Sequence, residues 1–185
     1  MNIYFDCEFT GLYKDTKLIS IGLISDDGKQ FYAEVDDKSL LYVDSWIEEN
    51  VLNNTVMYGD KLLYDIVDSE FDYHTGSEST ICNELSKWFN QFDNVQLVSD
   101  VCHYDMVLLI NLFGTAFDLP ENVSCYCHDI NQDIAINENI SESEAFNLSR
   151  EEILEKHNKT IDGEKHNALY DAKVIKEIFN IYKGV

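Results

Sequence analysis

The sequence predicts an α/β domain with a mixed sheet, its first three strands antiparallel and helices flanking it. Three β-prone runs open the chain, and a hairpin signal joins two of them. Beyond them, helical stripes alternate with short apolar runs. Hydrophobic residues make up 45% of the 185 residues, enough for one domain over 1–185 that buries a core without disulfide staples. One Pro and eight Gly exclude collagen-like and linker-dominated architectures.

The first strand is the run Ile3-Tyr4-Phe5, which leads straight into acidic residues. Leu18–Ser25 and Gln30–Val35 follow, and Asp26-Asp27-Gly28-Lys29 between them carries the Asp-Gly hairpin signal, so a meander is expected. Asp44 is placed to cap a short helix through Trp46, Ile47 and Val51. Residues 53–76 read as irregular. From Ser79 to Phe92 the apolar positions Ile81, Cys82, Leu85, Trp88, Phe89 and Phe92 form a helical stripe. A buried strand is expected at Val95–Val98, a helix from about Tyr104 to Phe113, and a last strand at Val123–Tyr126. The acidic segment 137–145 reads as an exposed loop or insertion. Ser149 with Glu152 is a capping-box signature for a helix through Ile153 and Leu154, and a terminal helix runs from near His166 to Gly184.

Charge narrows the function classes. Thirteen basic residues face 35 acidic ones, a net of −22. So large a negative field disfavours tight non-specific duplex binding, which needs Lys and Arg on the phosphates. It suits a protein that collects cations, and cations would allow a nucleic-acid substrate locally. No loop of the EF-hand type is present. The five cysteines have no framework spacing, and Cys125-Tyr126-Cys127-His128 lacks the second pair that a zinc finger needs. Asp6 and Glu8 interrupt any leader-like apolar region and no run approaches a membrane span, so no membrane association and a cytoplasmic location are expected.

Four carboxylates stand where a surface acid should not. Asp6 and Glu8 are two apart on an extended segment, so both point to one face, ~7 Å apart at ~3.3 Å per residue. Asp105 heads a helix face shared with Leu108, Leu109 and Leu112; an ordinary first-turn acid is the competing reading. Asp100 is its rival in this stretch but lacks that alignment. Asp171 lies inside the apolar stripe of Ala168, Ile175, Ile178 and Tyr182, where a buried carboxylate needs a cation, a core ion pair or hydrogen bonds. His166 would point about 140° away from Asp171 on a regular helix, so the two share a site only if His166 sits on the entering loop. A surface His at a helix start is the alternative. A strand-end pair with two inward helix acids suits two hard divalent cations at a phosphoryl-transfer centre.

Asp6-Cys7-Glu8, His103-Tyr104-Asp105 and His166-Asn167-Ala168-Leu169-Tyr170-Asp171 resemble the three motifs of the DEDDh 3′-5′ exonuclease superfamily: Asp-x-Glu, aromatic-Asp and His-x-Ala-x-x-Asp. FDCEFTG, LISIGLIS, SWIEENVL and HNALYDA look most like its compact stand-alone exoribonuclease-like branch. The resemblance implies a ribonuclease H-like sheet and hydrolysis from nucleic-acid 3′ ends, RNA favoured, with release of nucleoside monophosphates. It also implies two Mg²⁺ or Mn²⁺ ions held by Asp6, Glu8, Asp105 and Asp171, with His166 as general base. Phe9, Thr10 and Tyr104 flank the acids and are candidates for holding the terminal nucleotide; plain core roles compete for Phe9 and Tyr104. Val101 and Cys102 stand where many relatives carry the Asn of a His-Asn-x-x-Phe-Asp pattern. A homodimer is compatible with the resemblance. Two other functions compete: a degraded site that binds a nucleotide or RNA end without cutting it, and a DNA-directed exonuclease.

Overall fold

In the computed structural model, which describes residues 1–37, 39–40, 43–59, 71–100 and 102–184, six strands form one sheet. They are β1 (Asn2–Phe9), β2 (Leu18–Ser25), β3 (Gln30–Val35), β4 (Phe71–Gly76), β5 (Val95–Ser99) and β6 (Val123–Asp129). Their order across the sheet is β4-β3-β2-β1-β5-β6. β1–β2 and β2–β3 are antiparallel, while β3–β4, β1–β5 and β5–β6 are parallel. This is the expected mixed sheet with an antiparallel opening.

Strand alternation divides the core between two faces. Ile3, Phe5 and Cys7 of β1 pack on one side, with Ile81 and Trp88 of α2 (Glu78–Phe89) and Leu109 of α3 (Cys102–Phe113) in the same cluster. Tyr4, Ile24 and Val98 belong to the other side. That side is covered by α4 (Ile130–Glu138), α5 (Glu142–Asn147), α6 (Arg150–Lys156) and α7 (Ala168–Lys183). Asp6 and Glu8 follow Tyr4 at two-residue steps, so alternation turns them toward α7. α1 (Ser45–Asn50), capped by Asp44, and a 3₁₀ turn (Leu52–Asn54) lie beyond β3. Among the described residues, no helix is long and apolar enough to cross a membrane.

The structure corrects several boundaries. Within 53–76, residues 71–76 are β4, an edge strand paired along its length with β3; residues 60–70 lie outside those described. Its alternation Phe71-Asp72-Tyr73-His74 is only four residues long before Thr75 and Gly76, too short a run to mark a strand by period alone. α2 begins at Glu78 behind its Ser77 cap and ends at Phe89, while β6 runs on to Asp129. The segment 137–145 is the end of α4, a left-handed Asn139 and the start of α5. Its acids Glu142 and Glu144 sit in the first turn of α5, where they complement the helix dipole, and Ser141 with Glu144 forms a full capping box. Ser149 makes only half of the expected box: it accepts from the Glu152 N–H, but its Oγ donates to Glu151 at 2.7 Å. α7 starts at Ala168 with Asn167 as its cap, so His166 lies outside the helix.

How deeply α7 docks is set by Gly22. It lies opposite Asp6 in the β1–β2 register, and a Cβ there would fall 2.2 Å from the Leu169 nitrogen and 2.4 Å from the Ala168 oxygen. These are backbone atoms that a side-chain rotation cannot clear. Gly22→Ala should therefore push the start of α7 off the sheet and cost roughly 1–3 kcal/mol, as overpacking does. Urea denaturation measures this, and a loss below about 0.5 kcal/mol, the usual surface value, would contradict the close contact.

Candidate active site

The acids gather at the C-terminal edge of β1 and β5, the edge where α/β sheets place their ligands. Tyr4 pairs with Val98 in the parallel β1–β5 register, and Asp100 directly follows the end of β5, at the same sheet edge as Asp6. The chain then enters α3, whose first turn presents Asp105. Asp105 is 1% exposed; Ser99 Oγ donates to its Oδ2, while its Oδ1 has no hydrogen-bond partner among the described residues. Asp6, Asp100 and Asp105 each offer a ligand oxygen within 4.8 Å of the others.

α7 contributes from the opposite wall. His166 adopts a left-handed backbone (φ 63°), a conformation costing a non-glycine residue roughly 1–2 kcal/mol. This turn folds the chain back, so the His166 N–H donates to Asp171 Oδ2 at 2.8 Å. The angular separation of a continuous helix no longer applies, and Glu8, His166 and Asp171 bring ligand atoms within 4.8 Å. The turn is held from outside. Asn54 Nδ2 donates to the Lys165 carbonyl and Asn167 Nδ2 donates to the Asn54 carbonyl, both at 2.9 Å. Trp46 sets its ring edge-on to His166, with centroids 5.2 Å apart.

Burial and mutual repulsion dominate the electrostatics. Burial, then the charges of its neighbours, raises Asp6 well above the usual carboxylate range. Glu8 is raised by the same causes. Burial also raises Asp105, where the Ser99 hydrogen bond opposes the shift and Asp100 adds to it. Asp171 is pushed up to about 8 by burial and then by Asp100, against the stabilising N–H of His166. Burial lowers His166, helped by Lys165, so its imidazole favours the neutral form. An unpartnered buried carboxylate oxygen among further carboxylate oxygens is a donor set suited to a hard divalent cation.

A cleft of about 620 Å³ opens over these acids. Phe9, Leu12, Trp46 and Phe146 line it, with Leu12, Trp46 and Phe146 more than half exposed. Phe9 stacks on Tyr104 at 5.3 Å and 13°. Thr10 is buried, and its Oγ1 closes the following loop by accepting from Tyr13 Oη and the Lys17 N–H. Cys102 opens α3 beside Asp129, and Val101 lies outside the described residues. Four residues of this cleft were missed or set aside in the sequence: Asp100, Arg150, Trp46 and Phe146. Asp100 is placed by the end of β5 rather than by a helix face, so it carries no helical alignment. Phe146 belongs to α5, which the acidic composition of its surroundings concealed.

The Rv2179c-like 3′-5′ exoribonuclease domain family matches residues 1–182. The 3′-5′ exoribonuclease Rv2179c of Mycobacterium tuberculosis is 24% identical over 132 residues, 71% of this chain and 73% of that protein. Among solved structures, the nuclease domain of 3′hExo, a DEDDh family member bound to rAMP, superposes with a TM-score of 0.69 at 14% identity, covering 99% of this chain and 92% of that one. Pop2p of S. pombe, in a form bound to Mg²⁺ and Mn²⁺, gives a TM-score of 0.57 at 15% identity over 98% of this chain and 81% of its own. The fold is thus that of the ribonuclease H-like DEDDh exonucleases.

The raised carboxyls carry a sign for stability. A carboxyl raised in the folded state binds protons that the unfolded chain has already released, so stability falls with rising pH between the two pKa values. For Asp171 that window runs from the ordinary carboxylate value of 3.8 to about 8. With chelator present, the melting temperature should fall steadily from pH 5 to pH 8, and millimolar Mn²⁺ should flatten the decline by replacing the protons. A chelated protein whose melting temperature rises across this range would refute the clustered carboxyls.

Proposed function

Because this chain belongs to the Rv2179c-like 3′-5′ exoribonuclease domain family, we propose that it hydrolyses phosphodiester bonds from the 3′ end of RNA and releases nucleoside monophosphates. The observation that carries this reading is the convergence of Asp6, Glu8, Asp105 and Asp171 with His166 in one cleft. Asp6, Glu8, Asp105 and Asp171 would hold two divalent cations, Mg²⁺ or Mn²⁺. Bound there, the cations would supply Lewis-acid stabilisation of the attacking and leaving oxygens.

The chain's own groups supply the rest. His166, kept neutral by burial, is the general base that takes the proton of the attacking water. Its backbone N–H holds the Asp171 carboxylate, so base and ligand are set by one turn. Phe9 and the exposed rings of Trp46 and Phe146 offer stacking faces for the terminal bases, and Tyr104 supports Phe9 from behind. Thr10 acts by fixing the loop that follows Phe9. Lys165 and Arg150 are the basic residues lining the cleft, and the chain carries a net charge of −22. Short or single-stranded ends therefore suit it better than long duplexes, which need a basic track.

End-labelled RNA and matched DNA, incubated with Mg²⁺ or Mn²⁺, test the reading. RNA should shorten from its 3′ end to mononucleotides, faster than DNA. Asp6→Ala and Asp171→Ala should abolish cleavage in a folded protein, and activity within tenfold of wild type in either would overturn the assignment. His166→Ala should lower turnover roughly 10²–10⁴-fold while leaving a Mn²⁺ titration unchanged. The acid limb of the pH–rate profile should lie below ~6.5, the ordinary imidazole value, and vanish in that variant. A normal rate for His166→Ala would remove it from the mechanism. Binding of RNA with no product under any condition would favour the degraded-site alternative.

A further inference from the structure

Arg150 is the only arginine in the chain, and it stands where helix electrostatics disfavour it. It is the first residue of α6, directly after the Ser149 cap, where the dipole favours acids. Its bonds show what holds it there. Arg150 Nε donates to Asp100 Oδ2 at 2.9 Å, and Nη2 donates to Asn131 Oδ1 at 2.7 Å. Nη1 donates to the carbonyls of Ala145 and Leu148, at 3.0 and 2.9 Å. Asn131 in turn donates from Nδ2 to the Asp100 carbonyl and to Asp129. The ion pair is largely buried, its side chains 12% and 15% exposed.

A clamp needing only a counter-charge for Arg150 would be cheapest with that charge turned away from other acids. Asp100 does the reverse. It brings an oxygen within 4.8 Å of those of Asp6 and Asp105, beside the unpartnered and buried Asp105 Oδ1. We propose that Asp100 is a fifth carboxylate of the cation site, and that Arg150 is the positioning residue that sets its orientation. The end of β5, paired with β1, brings Asp100 to the Asp6 edge of the sheet, and Arg150 Nε holds its carboxylate while Nη1 ties the α5–α6 wall to the same point. This rests on the cation-dependent reading above.

Mn²⁺ alone, titrated by calorimetry into the full chain, tests it without relying on catalysis. Asp100→Asn and Arg150→Gln should each weaken Mn²⁺ binding roughly tenfold to a hundredfold, the cost of losing a ligand or its support. The double variant Asp100→Asn/Arg150→Gln leaves no unpaired buried charge and keeps the test decisive if either single variant fails to fold; it should show the same loss. If the metal-free melting temperature drops but Mn²⁺ affinity stays within twofold, Asp100 is only an ion-pair partner and the proposal fails. Asp171→Asn separates the two readings. Loss of binding in that variant with none in the Asp100 variants sinks the fifth carboxylate alone. Absence of Mn²⁺ binding in the wild type sinks both.

Discussion

Like charges crowded at one edge of the sheet are the constraint around which this protein is arranged. Glu8 and Asp105 are buried, and Asp6, Asp100 and Asp171 stand close by, in a chain already carrying a net charge of −22. Burial first, and then the charge of its neighbours, makes each carboxylate harder to ionise, which is why several are raised well above their ordinary values. Surrounding groups are placed to contain this repulsion: the Ser99 hydroxyl on Asp105, the His166 N–H on Asp171 and the single arginine on Asp100. Without protons or cations the site stores strain. That is the usual bargain of a functional centre, where stability is surrendered locally for chemistry.

Much of this was legible because it is local. Leu18–Ser25 and Gln30–Val35 with an Asp-Gly turn between them can only close on each other, and Asp6 and Glu8 share a face by strand alternation alone. Asp171 stood out as an acid inside an apolar stripe. Features that escaped depend on distant partners. Asp100 gains its place from a parallel pairing with β1, some ninety positions away in the chain, which no local window contains. The left-handed turn at His166 is supported by Asn54, 113 residues from its partner Asn167. β4 is an edge strand that alternates over only four residues, and α5 is too short for its period to register.

Precision at the site comes from close backbone approach rather than from large side chains. Gly22 lets the first turn of α7 rest directly on β2, level with Asp6 across the sheet. The same turn carries the Asn167 cap, the His166 reversal and Asp171. One docking contact therefore sets His166 and Asp171 together. The α5–α6 wall, held through Arg150, closes the other side of the cleft and contributes Phe146 to its rim.

Chain order gives this arrangement a temporal meaning. The first two acids come from β1, whereas His166 and Asp171 belong to the entrance and first turn of α7, the last helix described. Translation delivers the N-terminal strands first. A chain still being synthesised can build much of its sheet while lacking both His166 and Asp171. Under the proposed 3′-5′ exonuclease activity, this order would keep the nascent chain inert beside the message being read until α7 has docked on β2.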